Sequence, residues 1–135
     1  MKIIVNMACG LANRMFQYSY YLFLKRQGYQ VQVDFYHSAK LAHEKVAWND
    51  IFPKAKIDQA SSWDVLKLGG GPDLFSKIRR KYLPFLSGVV NMPTAFDVDL
   101  PVASRKAQYV IGVFQNAKMV ETIEKDVKCC FTFQP

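Results

Sequence analysis

The first residues of the chain whose types and spacing could do chemistry lie in a small-residue bend that contains Gly10 and Asn13. An apolar run over residues 2–7 precedes the bend and predicts a strand, and a helical pattern over residues 13–27 follows it, with Asn13 as N-cap and Gly28 as stop. A strand, a tight turn and a helix N-terminus together present free backbone N–H groups and a positive dipole, which suit phosphate or another anion. The same residues also fit a plain βα bend, in which Gly10 permits the turn and Asn13 caps the helix.

Two common phosphate-binding loops are excluded at this bend. The Walker loop ends in Gly-Lys-Ser/Thr, which does not occur, and the dinucleotide fingerprint needs three spaced glycines where the bend has Gly10 alone. Asp34 ends the next predicted strand, where a ribose-binding acid would lie, but without those glycines we interpret it as a polar strand end. His37 and His43 are poorly spaced for a shared metal, so no metal site is predicted.

The elements around the bend predict an α/β fold. Residues 30–35 alternate between apolar and polar types, so strand, turn, helix and strand form a βαβ unit whose two strands are parallel. Two helices are predicted next, one capped by Ser61 or Ser62 and ending at Leu68, and one over 73–82. An irregular connection over 84–107 follows, with a short strand at 87–91. The last predicted elements are a strand over 108–114 and a helix capped by Asn116. The chain is therefore predicted to be one Rossmann-like domain, a parallel sheet flanked by helices.

The middle of the chain contains a run of three glycines and a run of basic residues. Residues 69–71 are three glycines after a helix, and we interpret them as a flexible hinge. Lys77, Arg79, Arg80 and Lys81 form a basic run on the helix over 73–82, and the pattern favours a solvated charged face. In that interpretation the apolar residues of the helix face inward: Leu74, Phe75, Ile78 and Tyr82. A membrane-surface or nucleic-acid patch is the alternative for the basic run, although no reading motif accompanies it.

Composition limits the partners and the compartment. The chain has 135 residues and a formal net charge of +7, which favours an anionic partner without choosing one. Three cysteines without metal-ligand spacing, and a start that lacks a signal-peptide pattern, indicate a reducing, cytoplasmic location. The longest apolar run, residues 18–24, is too short to span a bilayer, so no transmembrane segment is predicted. Peripheral contact at the inner membrane face stays compatible with this composition.

Three segments carry a resemblance to a known family. Residues 9–18, CGLANRMFQY, resemble the opening motif Gly-Gly-Leu-Gly-Asn-Gln-Met-Phe-Gln-Tyr of the α-1,2-fucosyltransferases of glycosyltransferase family 11, with departures at Cys9, Ala12 and Arg14. Residues 43–52 match the family's His-Asn-Gly-Phe-Glu-Leu-x-x-Ile-Phe at His43, Ile51 and Phe52 and differ from it in the middle. Residues 112–118, GVFQNAK, are similar to its Gly-Tyr-Trp-Gln-Ser-x-Lys, and the three segments occur in the family's order.

The resemblance implies a function and a division of the protein. It implies a fold of two Rossmann-like halves of the GT-B type. The implied reaction transfers L-fucose from GDP-fucose to the 2-hydroxyl of a terminal galactoside with inversion, and it needs no metal or other cofactor. The implied role is in the synthesis of surface glycans or polysaccharides. The family's donor motif, His-x-Arg-x-x-Asp, does not occur, so residues 1–135 correspond to the N-terminal half and should be inactive alone. The general base is not identified. The implied donor- or acceptor-binding residues are Gly10, Asn13, Arg14, Gln17, His43 and Gln115.

Two functions of other classes stay open from the sequence. One is a non-catalytic α/β module that binds a nucleotide or a glycan, which the missing donor motif allows. The other, with less support, is nucleic-acid binding by the basic run over residues 77–81. No nucleic-acid partner is expected if the fucosyltransferase interpretation holds, since GDP-fucose and a galactose-terminated glycan are then the partners.

Overall fold

A computed structural model describes most of the chain. The described residues are 2–7, 10–35, 48–71, 73–83, 87–92, 107–112 and 114–132. In these ranges, no helix is both long enough and apolar enough to cross a membrane.

A four-stranded parallel sheet forms the centre of the fold, which confirms the predicted Rossmann-like α/β class. The strand order is β2-β1-β4-β3, and every neighbouring pair is parallel. Val5 pairs with Val33 on one side and Val110 on the other, so β1 is an inner strand. The strands are β1 (Lys2–Asn6), β2 (Gln30–Asp34), β3 (Val89–Asn91) and β4 (Gln108–Ile111).

Helices cover both faces of the sheet. Alternate residues of β1 point to opposite faces, as the twofold period of a strand requires: Ile3 and Val5 belong to one apolar cluster and Ile4 to another. The larger cluster includes residues of α1, α2 and α5, and the smaller one includes Val65 of α3. The helices are α1 (Leu11–Arg26), α2 (Trp48–Ile51), α3 (Ser62–Lys67), α4 (Leu74–Tyr82), α5 (Ala117–Thr122) and α6 (Glu124–Cys130).

The first helix begins earlier than the sequence predicted. Gly10, with extended backbone angles, is the N-cap of α1, and Asn13 lies inside the first turn, so the prediction of Asn13 as N-cap is wrong. Leu11 and Ala12 are good helix formers, and glycine is itself an accepted cap, so the helix extends back through them. The predicted stop is confirmed: Gly28 has φ of +90°.

Local capping chemistry was predicted well elsewhere. The Ser61 side chain accepts from the backbone N–H of Asp64 at the start of α3, and Asn116 accepts from that of Met119 at the start of α5. The final helical segment divides at Ile123 into α5 and α6. The short strand predicted at 87–91 is present as β3, whereas residues 84–86 and 93–106 of the connection lie outside the described residues.

Two predictions about the middle of the chain are wrong. The apolar residues of α4 are exposed: Leu74, Phe75, Ile78 and Tyr82. Its buried residue is Ser76, so the helix presents its polar side to the protein.

The three glycines form a packed loop instead of a flexible hinge. The Gly70 backbone lies so close to the Tyr109 ring that a Cβ there would be 2.7 Å from three ring carbons. The carbonyls of Gly69 and Gly71 both accept from the Arg80 guanidinium, the second at 2.9 Å. This loop is therefore fixed by contacts with a sheet residue and with α4.

Candidate functional site

The carboxyl ends of β1 and β4 lie next to each other at one edge of the sheet. From β1 the chain passes through α1 to β2 on one side, while β4 lies on the other side of β1. The chain enters α1 after β1 and α5 after β4, and in open α/β sheets ligands bind outside the carboxyl ends of the strands. The β1–α1 turn and the residues that follow β4 lie at this edge.

The β1–α1 turn supplies backbone N–H groups. The first intrahelical bond of α1 runs from the Arg14 N–H to the Gly10 carbonyl at 3.1 Å. The N–H groups of Leu11, Ala12 and Asn13 precede it and have no acceptor within the helix. The first turn of α1 contains no acidic residue, so the positive dipole end is not neutralised there from within the helix. This helix end can accept an anion.

Arg14 lies at the same edge, in contact with the residue that follows β2. Its side chain is buried, and its guanidinium carbon is 5.1 Å from the centroid of the Phe35 ring, within cation–π distance. In this conformation the cation is directed to the end of β2. A diphosphate bound at the turn would gain the long-range attraction of this cation.

Gln17 joins α1 to the residue that follows β4. This buried side chain donates from Nε2 to the carbonyl oxygen of Gly112, just after β4, at 2.8 Å. Gln17 lies one turn after Asn13 on the same face of α1, so the bond also fixes the rotation of the helix about its axis. The structure gives Gln17 a positioning role between α1 and β4.

The segment after β4 contains a feature that the sequence did not reveal. Phe114 is the one non-glycine residue in the described ranges with positive φ, at +59°. Left-handed backbone at such a residue costs roughly 1–3 kcal/mol and is concentrated at functional sites. The Phe114 ring stacks on Tyr20 of α1 with centroids 4.0 Å apart, which holds the segment against α1. Phenylalanine rarely adopts a left-handed backbone, so the residue types around position 114 give no signal for this conformation.

A buried acid and a buried tyrosine lie on the opposite face of the sheet. The Tyr109 hydroxyl donates to Asp34 Oδ2 at 2.7 Å, and both side chains are almost fully buried. Burial first, and then the neighbouring carboxyl group of Asp34, raise the pKa of Tyr109 far above its usual range. The interpretation of Asp34 as a polar strand end is therefore incomplete: its side chain joins β2 to β4 from within the core.

The predicted site residues are partly brought together. Gly10, Asn13, Arg14 and Gln17 lie in the first turns of α1, and Gln115 is half-buried three residues after Gly112. His43 lies outside the described residues. Within the described ranges, no group of three His, Cys, Asp or Glu side chains is arranged to hold a metal ion.

Comparison with known proteins adds no identification. No protein-family model, curated protein or solved structure matches the chain.

Proposed function

We propose that the chain is the nucleotide-facing part of an inverting α-1,2-fucosyltransferase, which transfers L-fucose from GDP-fucose to the 2-hydroxyl of a terminal galactoside. One observation carries the proposal. The residues that resemble the opening motif of glycosyltransferase family 11 form the turn and first helix beside β1, at the edge of the sheet where α/β proteins bind nucleotides. The resemblance and the fold thus support the same position for the donor.

The chemistry of the transfer explains why a helix end would serve it. The galactoside oxygen attacks the anomeric carbon of fucose, the bond from that carbon to the phosphate oxygen breaks, and the acceptor proton passes to a general base. Negative charge grows on the departing diphosphate. Preorganised N–H groups stabilise such charge because they need no reorientation during the reaction. The N–H groups of Leu11, Ala12 and Asn13 are the proposed donors.

Three side chains have separate proposed roles. The Asn13 amide lies in the first turn of α1 and contacts the diphosphate or the fucose. Gln17 positions that turn through its bond to Gly112. Arg14 supplies positive potential from its place over Phe35, where the family pattern has an uncharged glutamine.

The proposal is tested in the gene and in a transfer assay. We expect the coding sequence that contains these residues to encode a His-x-Arg-x-x-Asp motif downstream, and the product that includes it to fucosylate a lactose-type acceptor. In that product, Asn13→Ala should lower transfer at least tenfold and leave the melting temperature nearly unchanged. Asn49→Ala, at an exposed position of α2, is the matched amide control.

Three results would contradict the proposal. A downstream sequence without the donor motif, together with GDP-fucose binding and no transfer, would indicate a binding module. Transfer by the Asn13→Ala product at the control's rate would remove the proposed role of that amide. Turnover by residues 1–135 alone would show that the division into halves is wrong.

A further inference from the structure

The helix α4 presents its apolar side to solvent. Leu74, Phe75, Ile78 and Tyr82 follow a spacing that places them on one face of the helix, and Leu74 and Phe75 are each 73% exposed. Ser76, on the opposite side, is buried. An apolar helix face normally packs on the core of the protein. Its exposure here indicates an interaction surface that a partner with apolar groups covers.

Polar contacts hold the helix in this orientation. Asp73 accepts from the backbone N–H of Ser76 at 2.8 Å and caps the helix. Arg79 donates to the carbonyl of Lys67 at 2.8 Å, at the end of α3, and Arg80 donates to that of Gly71 at 2.9 Å. Because both arginines are bonded to the preceding loop and helix, rotating α4 to bury its apolar face would break these contacts.

The preceding helix also exposes large apolar residues. Val65 is the buried residue of α3, whereas Trp63 and Leu66 are exposed, Trp63 by 66%. Val65 places α3 on the sheet face opposite to α1. We define the α3–α4 surface by its exposed large apolar residues: Trp63, Leu66, Leu74, Phe75, Ile78, Tyr82 and Leu83.

Lysines accompany the aromatic residues of the α3–α4 surface. Lys67 Nζ is 5.5 Å from the centroid of the Trp63 ring, and Lys81 Nζ is 5.2 Å from that of Tyr82. Residues 61–83 contain five Lys and Arg against two Asp, a net charge of +3. Exposed apolar groups mixed with lysines are complementary to a surface that has an apolar interior and anionic groups at its border.

We propose that the α3–α4 surface docks on an anionic lipid membrane, with α4 lying in the plane of the interface. Its nine residues span about 13.5 Å, which fits a helix that lies on a bilayer and cannot cross it. A second copy of the chain fits less well, since a symmetric contact would bring lysines against lysines between two chains of charge +7. Nucleic acid fits less well because the exposed aliphatic side chains beside the aromatic ones, such as Leu74 and Ile78, would stay in water in such a complex.

Vesicle flotation tests this proposal with the whole chain. We expect binding to vesicles of phosphatidylcholine mixed with phosphatidylglycerol, weak binding to phosphatidylcholine alone, and release at high salt. Trp63 is an internal reporter, because its fluorescence should shift to shorter wavelength and become protected from iodide, while buried Trp48 gives a constant background.

Two variants separate the apolar and the charged contributions. Phe75→Ser with Ile78→Ser should weaken binding at least tenfold, and Lys77→Glu with Lys81→Glu should weaken it about 30-fold or more. All four positions are exposed, so circular dichroism melts should stay close to those of the parent. Lys118→Glu with Lys125→Glu makes the same change of charge on the opposite layer and should keep binding within about threefold of the parent.

The outcomes that overturn the proposal are distinct. Equal loss of binding in the Lys118/Lys125 control would show a general effect of net charge. Absence of binding to anionic vesicles would refute the membrane directly. Concentration-dependent association that Phe75→Ser abolishes would identify a second copy as the occupant, and retention of DNA in the absence of lipid binding would identify a nucleic acid.

Discussion

Replacement of Tyr109 by phenylalanine tests how the sheet is held together at the edge that carries the candidate site. The hydroxyl of Tyr109 donates to Asp34 at 2.7 Å, and the two residues belong to β4 and β2, on either side of β1. Tyr109→Phe keeps the buried ring and removes this donor, so a buried carboxyl oxygen loses a partner. The change therefore isolates one polar contact in an otherwise unchanged core.

The magnitude follows from the cost of depriving a buried acceptor of its donor, about 1–3 kcal/mol. An unfolding entropy of about 2.1 cal/mol/K per residue, applied to 135 residues, gives a shift in Tm of about 3.5 °C per kcal/mol. Tyr109→Phe should lower Tm by about 4–10 °C.

Thermal and denaturant unfolding, followed by circular dichroism, measure this loss. The control is Tyr82→Phe, which removes the same hydroxyl from an exposed residue of α4 and should stay within about 0.5 kcal/mol of the parent. A double-mutant cycle with Asp34→Ala, which removes the acceptor, then measures the coupling of the pair. Equal stabilities of Tyr109→Phe and Tyr82→Phe would refute the reasoning, since the buried bond would then contribute nothing.

Two further predictions concern stability. Burial, with a smaller contribution from Tyr29, raises the pKa of Tyr20 to about 12. The neutral side chain therefore contributes fully to the free energy of unfolding below pH 10, and this contribution falls by about 2–3 kcal/mol as the pH rises to 12. In denaturant titrations the free energy of unfolding of Tyr20→Phe should decline less at alkaline pH than that of the parent, and identical declines would contradict this cause. Gly70→Ala places a methyl group 2.7 Å from the Tyr109 ring and should cost about 1–3 kcal/mol in the same unfolding assay, whereas an unchanged Tm would show that the ring can move aside.

Local signals made the start of the fold predictable. The βαβ unit is encoded by apolar periodicity within 35 residues, and the caps at Ser61 and Asn116 depend on bonds to residues three positions away. Asn13 was misassigned because several nearby residues can begin a helix, and the cap that forms depends on how the chain leaves β1. Features of local origin were thus accessible to within about one turn.

Features that depend on distant contacts were not predictable. The pattern of α4 defines an apolar face but does not say which side meets the protein, and here the bonds of Arg79 to α3 and of Arg80 to the glycine loop determine it. Tyr109 and Asp34 are 75 residues apart, so no local sequence pattern predicts their hydrogen bond. The left-handed backbone of Phe114 depends on its stacking with Tyr20, which is also a long-range contact.

The central claim is that the β1–α1 turn binds the diphosphate of GDP-fucose, and an amide NMR titration of the isotope-labelled chain tests it most directly. A helix N-terminus contributes about 0.3–1 kcal/mol and one or two hydrogen bonds to a charged group about 1.5–3 kcal/mol each, so a total near 4 kcal/mol corresponds to Kd of about 1 mM. We expect the amide signals of Leu11, Ala12 and Asn13 to shift together in that range, and Asn13→Ala to weaken the effect. Signals of these residues that stay unchanged well above about 1 mM, or shifts confined to another part of the chain, would contradict the claim.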